Sequence, residues 1–265
     1  MAIDSIPSSD SFLYNTENRL QQANQSAASG LRINNSADDP SGQAIMSAFT
    51  VEIGAQDMAV RNASTGINLI QTADAASQSI NEQLQSLNAL SQQAMNGTYS
   101  NSQRDMLNQA FQQGMESLNQ MADTTQFNGI NLLNAETASV QIALDDTETT
   151  LTLPNLTLDG LGLAGASLDS PDQAAVAQQR LQDALGIVTE SQSQFGAQQN
   201  GLTASIDAIA SENINTQAAR SQISDADMAR VFSEQNRQQV LANASVAMQA
   251  QGNQSYENVL SLLAT

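Results

Sequence analysis

Cysteine, histidine, lysine and tryptophan are all missing from this 265-residue chain. Without His or Cys there is no Ser-His-Asp or Cys-His nucleophile, no imidazole or thiolate metal site, and no HExxH protease helix. Without Lys there is no phosphate-loop lysine and no Schiff-base amine. No disulfide can form, although this alone does not assign a compartment. Aromatics make up only 3%, too few for a thick globular core. The 40% apolar content lies mostly in Ala, Leu, Ile, Val and Met, a composition that suits thin helical bundles. Eight cations, all Arg, face 27 acids, for a net charge of −19. Such a chain has no basic footprint for nucleic acid, and an anionic membrane surface repels it.

The opening stretch "MAIDSIPSSDSF" has neither a basic segment nor an apolar one, so no Sec-type signal peptide is expected. No run of about 18 apolar residues is present to span or insert in a membrane. The dense acidic clusters are Asp38/Asp39 and Asp145/Asp146/Glu148. The second lacks the Gly and Glu of an EF-hand loop and reads better as an acidic turn. The expectation is a protein that is not an enzyme, with no catalytic, cofactor-binding or metal site.

What the chain does have is helical periodicity. Leu13, Leu20, Ala23 and Ala27 share one side of a helix over 10–30. Residues 43–96 form a long helical run. In it Ile70, Ala73, Ser77, Ile80, Leu84, Leu87, Ser91 and Ala94 alternate spacings of three and four. "NGT" at 96–98 is a turn. Leu107, Phe111, Gly114, Leu118 and Met121 then repeat the pattern, so a helix over 102–123 returns antiparallel to the first. "VQIAL" (140–144) and "TLTLPNLTL" (150–158), with "DDTET" between them, alternate as a β-hairpin does. The strongest run is 171–220, where Leu181, Leu185, Val188, Gln192, Phe195, Gln199, Leu202, Ile206, Ile209, Asn213 and Thr216 hold the spacing for five heptads. A helix of that length must lie along others. A final helix covers about 225–250.

Two punctuated joints set the end helices apart. In "SGLRINNSADDPSGQAI" (29–45), Gly30 is a C-cap candidate, and Asn34 and Asn35 tolerate left-handed turns. Asp39 is the expected N-cap of the long helix, with Pro40 in its first position. In "SQISDADMARVF", Ser224 and Asp227 have capping-box spacing. The fold class expected is mainly α: a long antiparallel helical bundle or coiled coil with a small hairpin at about 139–160, in a discontinuous two-domain rod. Residues 1–30 and 226–265 form one domain, 31–42 a linker, and 43–225 the rod.

Five stretches in order, "SGLRINNSADDPSGQAI", "RNASTGINLIQTADAASQSINEQLQSLNALSQQAMNGT", "TQFNGINLL", "ARSQISDADMA" and "NVLSLL", resemble bacterial flagellin, and specifically a minimal form holding only the two inner domains, D0 and D1. The likeness covers about 17–144 and 171–263. It implies a structural subunit that assembles with identical copies into the helical filament used for swimming. The terminal helices would line the inner tube, and 43–220 would form the next layer. Arg32, Asn34, Asn35, Asp38, Asp39 and Pro40 would form a spoke that packs on neighbouring subunits, with "ARSQISDADMA" as its returning partner. Phe232, Val240, Leu241, Val259, Leu260, Leu262 and Leu263 would serve terminal assembly and binding of an export chaperone. Further implied partners are the filament cap and the hook-junction proteins. The protein would be secreted by the flagellar type III apparatus to the extracellular filament.

The first 16 residues depart from the family's usual start, and Pro7 limits helix there. The family's surface for the innate Toll-like receptor maps to Gln85, Ser86, Leu90 and Ala110. Ser86 and Ala110 stand where strongly recognised members carry an Arg and an acid, so the resemblance implies weak receptor activation. A reporter-cell assay matching enterobacterial potency would contradict this. Two other readings compete: a hook–filament junction protein, and a secreted coiled-coil binding module with fixed termini.

Overall fold

The computed structural model describes residues 7–145 and 147–263, with side chains from 11 to 145 and from 147 to 255. Five helices and two small hairpins follow in order: α1 (Pro7–Ser29), α2 (Pro40–Met95), α3 (Asn101–Thr124), β1 (Gln126–Phe127), β2 (Ile130–Asn131), β3 (Ser139–Leu144), β4 (Thr147–Thr152), α4 (Pro171–Ser224) and α5 (Met228–Leu263). The mainly helical class read from the sequence is the one observed. The chain divides into two compact units, Met1–Ile53 with Ile214–Thr265, and Gly54–Asn213. Both divisions fall inside the long helices α2 and α4.

In the second unit, α2 is the spine. All eight residues of its three-four seam from Ile70 to Ala94 are buried. The α2–α3 turn closes when the buried Arg104 guanidinium donates to the Ala94 carbonyl and, at 3.4 Å, to that of Tyr99. Ser100 and Gln103 form a capping box at the start of α3. Farther along, Gln83 Nε2 donates to the Gly114 carbonyl at 3.2 Å, so α3 runs back along α2. A Cβ on Gly114 would lie 2.7 Å from Leu87 Cδ2, and glycine is what permits this approach. α4 is also antiparallel to α2: Leu202 packs over Gly66, and Asn213 Nδ2 donates to Asp57 at 3.3 Å. The buried core joins these helices through Phe111, Leu118, Leu181 and Phe195.

The β3–β4 hairpin lies on this core. Its register pairs Ser139 with Thr152 and Leu144 with Thr147. The sequence reading placed the second strand at 150–158. The strand instead begins at Thr147, because part of "DDTET" is ladder rather than loop, and it ends before Pro154, which has no N–H to donate. Ile142 and Leu151 point inward, and Asn62 of α2 and Gln198 of α4 donate to the Ala143 and Thr152 carbonyls. A second hairpin, β1–β2, turns through Asn128 (φ 50) and Gly129 (φ 80). This is the Asn-Gly signal of a tight turn.

The segment 153–170 has no regular element but is well packed. Leu153, Leu156, Leu161, Leu163 and Leu168 are buried. Three α3 side chains hold it by its backbone: Asn119 accepts from Leu158 N–H, Asn108 accepts from Leu168 N–H, and Gln112 donates to the Ala166 carbonyl.

The first unit is the α1–α5 pair with the adjoining ends of α2 and α4. On α1, Leu13, Thr16, Leu20, Ala23 and Ala27 form a three-four seam that is buried or half-buried. Gln235 Nε2 of α5 donates to Asn24 at 2.7 Å. No described helix is long and apolar enough to cross a membrane.

Candidate assembly site

The joint begins where α1 stops. Gly30 takes a left-handed conformation (φ 72), and its N–H donates to the Ser26 carbonyl at 2.9 Å. This is the C-cap expected of it. The chain then runs beside the α4–α5 connection. Leu31 forms a bridge with Asp225. Arg32 N–H donates to the Ser224 carbonyl at 2.7 Å, and Ala226 N–H to the Gly30 carbonyl at 2.9 Å. The Arg32 guanidinium adds a third tie, to the Ile223 carbonyl at 2.7 Å. The two punctuated stretches, almost two hundred residues apart, are therefore direct backbone partners.

Asp38 organises the next turn. Its carboxylate accepts N–H groups from Asn34 and Asn35 at 3.0 and 3.1 Å, and the Gln22 amide at 2.9 Å. The Asn34 N–H is the main cause holding its carboxyl below the ordinary value of 3.8, with Gln22 and Asn35 adding to it. The stabilisation is complete above pH 3.8 and is lost as pH falls through the depressed native value. Asn34 and Asn35, which tolerate left-handed turns, are not left-handed here. Among described non-glycine residues only Asn128, Ala135 and Asp145 are. The carboxylate captures both Asn backbones from outside, and a left-handed turn is not needed.

Asp39 caps α2, its Oδ1 accepting from Ser41 and Gly42 N–H at 3.1 and 2.9 Å. Pro40 is the first helical residue. Asp39→Ala removes the acceptor for both N–H groups and should cost about 1 kcal/mol locally. Hydrogen exchange at Ser41 and Gly42 should speed up roughly fivefold; unchanged protection would mean that the cap contributes nothing. The other cap differs from the sequence reading. Ser224 ends α4, and its hydroxyl donates to Asp225 at 2.7 Å. No capping box forms with Asp227. Asp227 itself caps α5, accepting from Ala229 and Arg230 N–H at 3.0 and 3.3 Å. An aspartate directly before the helix satisfies its first donors more directly than a serine three residues farther back.

The joint and α5 also line a groove of about 610 Å³, with Arg19, Arg32 and Arg230 on its walls beside Asp225, Asp227 and Glu234. On α5 itself Phe232 and Val240 are 50% and 67% exposed, and Leu241, Val246 and Met248 are exposed as well. Water-exposed apolar side chains on a helix pair of this kind form a surface that another protein chain can cover.

Comparison with known proteins identifies this arrangement. The family profile described as "Bacterial flagellin N-terminal helical region" matches residues 8–138, and "Bacterial flagellin C-terminal helical region" matches 179–263. The flagellin of Halalkalibacterium halodurans is 37% identical over 251 residues, covering 93% of this chain and 92% of that protein. The chain belongs to the bacterial flagellin family. The crystal structure of Bacillus cereus flagellin superposes with a TM-score of 0.52 at 26% identity, over 60% of this chain and 94% of that one. A putative flagellar hook-associated protein from Vibrio parahaemolyticus superposes with a TM-score of 0.62 over 71% of this chain and all of that one. At 13% identity it shows a shared fold alone. Identity of 37% over nearly the full length therefore places this chain with flagellins, the structural subunits of the bacterial flagellar filament, ahead of the junction proteins.

The other residues singled out in this flagellin are spread over both units. Gln85, Ser86 and Ala110 are exposed, while Leu90 is half-buried against the core. Val259, Leu260, Leu262 and Leu263 lie outside the described side chains. The sequence reading did not single out Arg19 or Arg230. Nothing in their local pattern marks them, and only the folding of α1 onto α5 brings them to one groove.

Proposed function

We propose that this flagellin polymerises through its terminal unit: the α1–α5 pair forms the inner tube of the filament, the joint acts as the spoke, and residues 54–213 form the surrounding layer. The observation that carries this is the exposure of Phe232, Val240 and Leu241 on α5, in a protein whose second unit keeps a closed core. Burying them against identical neighbours supplies a driving force of roughly 25 cal/mol per Å² of apolar surface removed from water. A heterologous contact of this type repeats without closing and produces a helical polymer. The same face of α5 suits a chaperone that covers it before export through the flagellar type III apparatus. Assembly at the distal end would take place under a filament cap, above the hook-junction proteins. The role is structural and non-enzymatic.

Electron microscopy of the purified protein after addition of a precipitating salt tests the reading. Helical tubes are expected. Protein that remains dispersed or forms only amorphous aggregate would overturn it.

A further inference from the structure

The arginines are disposed unusually. In a chain with 27 acids and eight cations, Arg237 with Glu234 at 2.8 Å is the sole ion pair among the described residues. The groove beside the joint shows why proximity is not enough. Its three acids are committed locally: Asp225 to the Ser221 and Ser224 hydroxyls, Asp227 to the first N–H groups of α5, and Glu234 to Gln238 and Arg237. Arg32 is committed to the Ile223 carbonyl. Arg19 and Arg230, both exposed, have neither an ion pair nor a hydrogen bond from their guanidinium groups among the described residues.

Glu234 lies within electrostatic reach of Arg19 but is hydrogen-bonded elsewhere, and the larger reserve of carboxylates lies in the other unit. Residues 54–213 hold seventeen acids against three arginines, whereas the terminal unit holds ten against five. Glu82, Asp105, Glu116 and Glu190 are exposed there and pair with nothing among the described residues. A guanidinium fork recognises a carboxylate through two parallel charge-assisted hydrogen bonds, and such a pair gains strength when assembly removes water.

We propose that the Arg19/Arg230 groove is an inter-subunit socket that takes carboxylates from the acidic 54–213 unit of a second copy. The inference rests on the assembly reading above and adds to it the surface and the chemistry of one contact. Apolar burial drives polymerisation, and this pairing fixes which surfaces meet. Like-charge repulsion between the acidic units disfavours other arrangements.

The absence of lysine makes the contact directly testable. Arg19→Lys and Arg230→Lys, made separately, each introduce the sole side-chain amine of the chain. Equal amounts of unlabelled and ¹⁵N-labelled copies are polymerised together and treated with a zero-length carbodiimide, and the cross-linked peptides are read by mass spectrometry. The expected product is a mixed-isotope amide joining position 19 or 230 to an Asp or Glu within 54–213. In parallel, Arg19→Glu/Arg230→Glu should raise the critical concentration for polymerisation at least tenfold with an unchanged far-UV spectrum. Cross-links confined to Asp225, Asp227 or Glu234 of the same copy would overturn the proposal, as would an unchanged critical concentration in the charge-reversed protein. Wild-type protein that stays monomeric in the same salt removes the assembly reading and this contact with it. Wild-type polymer whose charge-reversed counterpart assembles equally well removes the contact alone.

Discussion

A chain ending at Val240 will not polymerise, while its 54–213 unit will stay folded. Truncation removes Leu241, Val246 and Met248, three exposed apolar side chains of α5, together with everything beyond them. Full burial of each in a polymer contributes about 1.5–3 kcal/mol. Even half the total is about 2–5 kcal/mol, which raises the critical concentration roughly thirtyfold to several thousandfold at 1.4 kcal/mol per factor of ten. Sedimentation after salt addition measures this directly. The retained unit has its own core, with Ile80, Leu84, Phe111 and Phe195 all buried within 54–213. Its thermal transition should therefore stay within a few degrees of that in the full chain. Filaments formed by the truncated protein would place the driving contacts elsewhere.

Phe111→Ala should produce the largest loss of monomer stability. The ring is completely buried on α3, in a cluster with Leu118, Met115 and the α2 seam. Truncating a buried Phe costs about 3–5 kcal/mol, because the cavity term adds to the lost transfer energy. For a domain of this size, the midpoint of thermal unfolding should fall by roughly 6–20 °C. Phe232→Ala is the informative contrast. That ring is half exposed on α5, so the monomer should change by less than about 0.5 kcal/mol while polymerisation weakens. Equal destabilisation of the monomer by the two substitutions would show that Phe232 is already packed within its own chain.

The long helices were legible because their packing repeats. A seam at spacings of three and four carries the same instruction in every turn, and each seam residue of α2 from Ile70 to Ala94 is buried. Gly30 and Asp39 were legible because their roles are local: a left-handed exit and a cap that need only neighbouring backbone. The reading failed where a local signal competed with a stronger partner. Asp227, directly before α5, takes the place of Ser224 as its cap. In segment 153–170 the alternation of "TLTLPNLTL" points to strand, but the ladder ends at Thr152. Its anchors, Asn108, Gln112 and Asn119, lie up to 60 residues away on α3, beyond the reach of a local pattern. The pairing of Arg32 with Ser224 was anticipated only by treating the two joints as partners, and the groove arginines needed the folded chain.

The two connections that flank β4 differ as places to graft foreign sequence. The connection between Leu144 and Thr147 lies at the end of a ladder. An insert there costs mainly loop closure, about 0.6 kcal/mol for each doubling of its length. Within 153–170 an insert must displace buried leucines and pull backbone away from three α3 side chains. The long connection, which looks spacious in the sequence, is the one that resists interruption, and the end of the ladder is the point where a displayed peptide leaves the core undisturbed.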